Sequence, residues 1–177
     1  MKRIHQALIA ATLLTTSSAQ ASIFPEVVPE LDLGSYLGTW YEVASTKPIF
    51  QRGCVCVTAT YTLRDDGNVG VANSCRKDSV DAEEEIADGI AAPSSNPAKF
   101  KVSFGGFGTP FTNYWVVDLA DDYSYAVVSS PLRRPIWILS RTPSLPTETM
   151  DGIMERLASK GFPVQAISST LQEGCPQ

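Results

Sequence analysis

The chain has 177 residues, a formal net charge of −5, 44% hydrophobic and 19% charged residues, and four cysteines. An acidic balance excludes a generic polyanion binder, because nucleic acid is drawn to basic faces. The one histidine, His5, stands among the first few residues, so the remainder lacks Ser/His and Cys/His catalytic pairs and every His-containing metal site.

Residues 1–21 read as a secretory signal peptide: Lys2 and Arg3 lead, an apolar run covers Ala7 to Leu14, and Ala19, Gln20 and Ala21 make a small-residue end. The run is shorter than the roughly 20 residues that span a bilayer. Ser22, not a cysteine, follows the expected cut, so a lipid anchor is not expected and the product should be periplasmic or secreted. Cleavage leaves 12 basic against 19 acidic residues, a formal charge of −7. What remains suits one domain, with residues 22–36 as a Pro-rich, extended lead-in and residues 37–177 as the folded unit.

The first strand is expected at "WYEVAST" (40–46), with Gly38 just before it. In "VCVTATYTL" (55–63), Val55, Val57, Ala59, Tyr61 and Leu63 alternate with Cys56, Thr58, Thr60 and Thr62, the period of a half-buried strand. "DDGN" (65–68) then makes a tight turn into "VGVANSC", giving a hairpin. It lacks the spaced ligands and distal Glu of a calcium loop. Further strands are expected at "EEIADGIAA" (84–92), "KFKVSF" (99–104), "NYWVVDLA" (113–120), "YSYAVVSS" (123–130) and "IWILSRT" (136–142). Eight strands at such spacing point to an all-β fold, an antiparallel sandwich or barrel. After Pro146, Met150, Ile153, Met154 and Leu157 form one helical stripe that stops at Gly161. That helix must pack outside, since an eight-stranded barrel holds side chains or a small ligand but no helix. "VQAISST" (164–170) reads as one more short strand.

Cys54, Cys56, Cys75 and Cys175 all lie in the exported part, and an even number there argues for two disulfides with three possible connectivities. A metal site built on "CVC" would need further partners that the chain lacks. No metal and no cofactor are expected.

"GTWYEVA", "YWVVDLADDYSYAVV" (114–128) and "WILSRTP" (137–143) resemble, in order and spacing, the three sequence blocks of the lipocalin family. The likeness is greatest to the branch of bacterial lipocalins, apolipoprotein D and plant lipocalins, and it covers nearly all of the exported chain. It implies an eight-stranded antiparallel up-and-down β-barrel with one C-terminal α-helix packed outside. It further implies a structural plug at the closed end, Trp40 covered by the guanidinium of Arg141, with Gly38 sparing a clash beneath. The cysteine positions resemble those of apolipoprotein D and of plastid lipocalins, which implies the pairs Cys56–Cys175 and Cys54–Cys75.

With one end plugged, the other is the mouth of an apolar cup. Strand parity proposes Tyr61, Asn73, Phe100, Val102, Phe104 and Trp137 as its lining. The resemblance adds that Trp137 and Asn73 match pocket residues and Phe111 an aromatic of a mouth loop. Hairpin order puts "DDG", "SSNP" and "ADD" at the closed end and Lys47, Arg52, Arg76, Lys77, Arg133 and Arg134 at the mouth, where "DAEEE" (81–85) also lies. Arg133 and Arg134 are candidates for a ligand head group. The expected ligand is a small hydrophobic molecule of the fatty-acid or lysophospholipid class, bound, carried or scavenged, with transient membrane contact as a further expectation. An isomerase or de-epoxidase reading would need a free thiol, or Glu42 or Asp118 as acid or base. A protein-binding reading would use the glycine-rich loop "GGFGTPF" (105–111).

Overall fold

The computed structural model describes residues 22–176, so the leader expected over residues 1–21 lies outside the described residues. Nine strands follow one another, each antiparallel to its neighbour: β1 (Gly38–Ser45), β2 (Cys54–Leu63), β3 (Val69–Lys77), β4 (Glu84–Pro93), β5 (Lys99–Phe104), β6 (Phe107–Gly108), β7 (Tyr114–Leu119), β8 (Tyr125–Ser129) and β9 (Ile136–Ser140). β9 returns to pair with β1, with Tyr41 opposite Ser140 and Ser45 opposite Trp137. That pairing closes the eight long strands into a barrel. The eight long strands are the expected ones, and β6 is a two-residue addition that folds the glycine-rich loop back on β5, Gly108 opposite Ser103.

The alternation read from the sequence becomes the two faces of the wall. Inward residues meet in register: Ala59 faces Asn73, which faces Ala87; Tyr61 faces Val71, which faces Gly89; Ala91 faces Val102. Outward residues of β7, β8 and β9 form a second core with the helix α2 (Thr147–Ser159), where Ile153 and Leu157 are buried against Val117, Val127 and Ile138. Polar contacts fix the helix: the Arg156 guanidinium donates to Asp118 Oδ2 at 3.0 Å and to the Tyr125 hydroxyl at 2.7 Å, and Lys160 Nζ donates to the Val117 carbonyl at 2.9 Å. Gly161, at φ +75°, ends it, a conformation that favours glycine.

Two segments differ from the expectation. The lead-in is extended only as far as Asp32, whose side chain accepts from the Ser35 amide at 2.7 Å and caps a one-turn helix, α1 (Leu33–Tyr36). The tail "VQAISST" holds a 3₁₀ turn at Val164–Ala166 and only a two-residue strand, β10 (Ser168–Ser169).

β1 and β2 pair only from Gly38 to Tyr41, then diverge towards the mouth. The tail fills that gap. β10 pairs with Ala44 and Ser45, the Thr170 amide donates to the Val43 carbonyl at 2.9 Å, and the Cys56 amide donates to the Leu171 carbonyl at 2.9 Å. The Gln172 side-chain amide donates to the carbonyls of both Glu42 and Val57, at 2.9 and 2.8 Å, and so bridges the two strands. Disulfides join Cys56 to Cys175 and Cys54 to Cys75; the first holds the tail in the wall.

Candidate functional site: a plugged, apolar cup

The closed end is sealed by stacking. The Arg141 guanidinium carbon stands 3.7 Å from the Trp40 ring centroid, and Trp40 is fully buried. The guanidinium donates to the carbonyls of Thr39, Ser35 and Leu37 at 2.7–2.9 Å, and the indole Nε1–H donates to the Tyr36 carbonyl at 2.8 Å. A planar cation thus covers the indole while its donors satisfy the carbonyls around the chain's entry into β1. Gly38 has a different role from the one expected: a Cβ there would stand 3.5 Å from Arg141, an ordinary contact, but its φ of +89° strains any other residue.

Above the plug lies a floor of aromatic rings. Tyr36 stacks on Tyr61, and Tyr61 and Phe100 each meet Tyr114 edge-on. The Tyr114 hydroxyl lies 2.7 Å from that of Tyr36 and 2.9 Å from that of Tyr61.

On β3, β4 and β5 the inward face becomes more accessible from floor to mouth, whereas Val128 of β8, opposite Trp137, stays buried. Tyr61 and Phe100 are 6% and 5% exposed and belong to the packed floor. Asn73, Val102, Phe104 and Trp137 are half-buried, and Ala87, opposite Asn73, is exposed although it faces inward. Solvent therefore reaches the upper half of the interior. The Phe104 ring lies over Gly89, where a Cβ would come within 2.7 Å of it.

At the mouth Trp137 is held by a relay. Its indole Nε1–H donates to Gln51 Oε1 at 2.6 Å, and Gln51 Nε2 donates to Glu42 Oε2 at 2.7 Å. The Thr170 hydroxyl donates to Glu42 Oε1 at 2.6 Å, and Lys47 Nζ reaches both Glu42 Oε1 and Thr170. Glu42 is a buried carboxylate with every oxygen engaged. One lip loop, the tail and the indole are thereby tied to β1.

Residues 31–172 match the family described as a lipocalin-like domain. The chain belongs to the lipocalin family. Temperature-induced lipocalin-1 of Arabidopsis thaliana is 35% identical over 159 residues, 85% of this chain and 84% of the relative. The outer membrane lipoprotein Blc of Citrobacter freundii is 38% identical over 150 residues, 84% of this chain and 83% of the relative. Insecticyanin of the tobacco hornworm Manduca sexta shares the fold, with a TM-score of 0.65 at 20% identity over 82% of this chain and 83% of its own.

In this lipocalin the expected rim cations have separate fates. Arg133 turns outward: its guanidinium donates to the carbonyls of Ile23, at 2.7 Å, Ser22 and Lys160, and stands 5.8 Å from the Phe162 ring centroid. Arg134 and Arg52 remain exposed. Lys77 Nζ donates to the Arg52 carbonyl, and Arg76 to the Ala82 carbonyl. Phe111 is 76% exposed and stands on the lip, not in the cup. Asp118 faces the outer wall with Arg156, out of reach of the interior, and the four thiols are all bonded. Sequence reasoning passed over Tyr36, Tyr114, Gln51 and Thr170. Tyr114 shares the inward parity of Val116, which was a usable signal; Tyr36 arrives from α1, Gln51 from a 3₁₀ turn of the lip and Thr170 from the tail, and these carried none.

The floor predicts an alkaline instability. Burial pushes the Tyr61 hydroxyl up to about 12, and burial also raises Tyr36 and Tyr114 well above the usual value of 10.0. The folded chain thus keeps protons that the unfolded chain releases as pH rises from about 10 to about 12. Their stabilisation is complete below the unfolded value and is lost through that window. Urea midpoints should fall steeply there, and a variant with all three phenols changed to Phe should show a shallower fall. An unchanged midpoint across the window contradicts this.

Proposed function

We propose that this lipocalin binds one long-chain fatty acid or lysophospholipid in its cup and carries or scavenges it in the cell envelope, as an exported periplasmic or secreted protein. The observation that carries the reading is the graded exposure of the inward wall: a buried, plugged floor below Asn73, Ala87, Val102, Phe104 and Trp137, which solvent reaches. Burying each methylene there yields about 0.8 kcal/mol. Sixteen carbons then offer about 12 kcal/mol before the several kcal/mol spent on ordering and association. The leader and the two disulfides support export. Bonded thiols and a fully engaged Glu42 favour a binder over a catalyst.

The rim supports a membrane as the place of exchange. Ile49, Phe50, Phe107, Phe111 and Leu132 are each at least 68% exposed, and they stand on three loops that are neighbours around the mouth. Lys47, Arg52 and Arg134 lie on two of those loops, whereas Asp78, Asp81 and Glu83 occupy the fourth.

The test is titration with stearate followed by tryptophan fluorescence, with Trp137→Phe identifying the reporting indole. Saturation at one ligand per chain is expected, and an unresponsive signal together with no displacement of a bound fluorescent fatty acid refutes the reading. Arg134→Ala should weaken stearate by up to about fivefold, the scale of an exposed charge pair. Arg133→Ala should not, because its donors are taken by Ser22, Ile23 and Lys160. The reverse order would place the head group on the other side of the lip.

A further inference from the structure

The three floor tyrosines carry one more proton than they can place among themselves. Each phenol brings one O–H, and the two contacts, Tyr36 to Tyr114 at 2.7 Å and Tyr114 to Tyr61 at 2.9 Å, absorb two, whichever way the chain of donors runs. These hydroxyls make no other hydrogen bond among the described residues. Tyr36 and Tyr61 are 3% and 6% exposed, so bulk water does not reach them freely, and burial keeps all three phenols protonated at neutral pH. Tyr114 is half-buried on the inward face, at the boundary between floor and open cup. Arg141, on the far side of Trp40, adds a positive field that acts on Tyr36 and Tyr61.

We propose that this floor is a recognition site for a neutral oxygen, a carbonyl or hydroxyl near the deep end of an otherwise apolar ligand, with the spare tyrosine proton as its donor. The inference rests on the reading of the cup as a site for apolar molecules and names what such a molecule carries at its buried end. A plain methyl terminus leaves the donor unmet or forces a water to stay beneath it. An oxygen at the right depth satisfies the donor, and the field of Arg141 favours it. An oxygen at the depths just beside it loses its own hydration for nothing, because the wall around the floor is Val71, Phe100, Val116 and Leu139.

The probes are stearic acid and a set of oxostearic acids with the ketone at successive positions along the chain, titrated into the whole exported protein. One position should bind about tenfold more tightly than its positional neighbours, the factor expected of a hydrogen bond gained against one lost. The carbonyl stretching band of that isomer alone should move to lower frequency on binding. In the variant Tyr36→Phe, Tyr61→Phe, Tyr114→Phe, compared by the ratio of one isomer to another, the optimum should vanish. If that variant does not fold, the band shift and the positional optimum in the unaltered protein decide by themselves. Stearate binding alongside oxostearates that are all weakened equally and show no band shift overturns the inference and leaves the proposed function standing. An optimum that survives in the triple variant overturns it too. If no member of the set binds, both fall.

Discussion

A chain with Cys56 and Cys175 both changed to Ser is expected to lose about 5 kcal/mol of folding stability, against about 3 kcal/mol for Cys54 and Cys75 changed together. The difference follows from chain entropy, because the first bond spans 119 residues and the second 21. Domains of this kind are stable by only about 5–15 kcal/mol, so the first variant approaches the threshold of folding. The loss has a local origin as well. Without the bond, the tail is held between β1 and β2 by β10, Thr170, Leu171 and Gln172, and Glu42 depends on Thr170 for one of its donors. Urea unfolding of the two double variants measures the order directly. A larger cost for the Cys54–Cys75 pair, or a cost below about 1 kcal/mol for Cys56–Cys175, contradicts the assignment of the tail as part of the wall.

Trp40→Ala should cost about 3–5 kcal/mol, the usual range for deleting a fully buried aromatic side chain. Arg141→Ala should cost less, about 2–3 kcal/mol, since it uncovers the indole and leaves the carbonyls of Thr39, Ser35 and Leu37 without their donor. The two effects should not add. Once the indole is gone the guanidinium has nothing to cover, and a double-mutant cycle should return a coupling of about 1–2 kcal/mol. Arg141→Lys keeps the charge but not the planar fork that spans three carbonyls, so it should recover little of the stability that Arg141→Ala loses. Full recovery by Lys, or additivity of the two Ala variants, would show that Arg141 acts only as a distant charge.

Much of the architecture was legible because it is local. Alternation from Val55 to Leu63 marks one wall strand, and the register confirms the faces from Thr58 to Leu63; a bulge between Val55 and Thr58, with Cys56 at a φ of +53°, puts Val55 opposite Arg76 and out of the expected alternation. The stripe Met150, Ile153, Met154, Leu157 marks the outer helix, two members of which are buried against the barrel. The pairing of Trp40 with Arg141 was not local: 101 positions separate them in the sequence, and only likeness to a family joined them. Contacts within the site were less legible still. Parity placed Tyr61 inward but could not tell floor from open wall, because that depends on Tyr36 arriving from α1 and Tyr114 from β7. Hairpin order put Arg133 at the mouth correctly in sequence, yet a loop residue has no fixed face, and its φ of +58° accompanies a side chain turned towards Ser22 and Ile23. Glu42 follows the inward parity of Trp40, but the donors that occupy it come from positions 51 and 170. Alternation carries no information about partners that far apart.

Native mass spectrometry of the protein taken from its own source, followed by extraction of whatever is bound, tests the cup most directly. A population heavier than the bare chain by the mass of one apolar molecule is expected, which organic solvent releases and stearate displaces. Only bare chain, before and after incubation with stearate or a lysophospholipid, would show that the space above Trp40 holds no ligand.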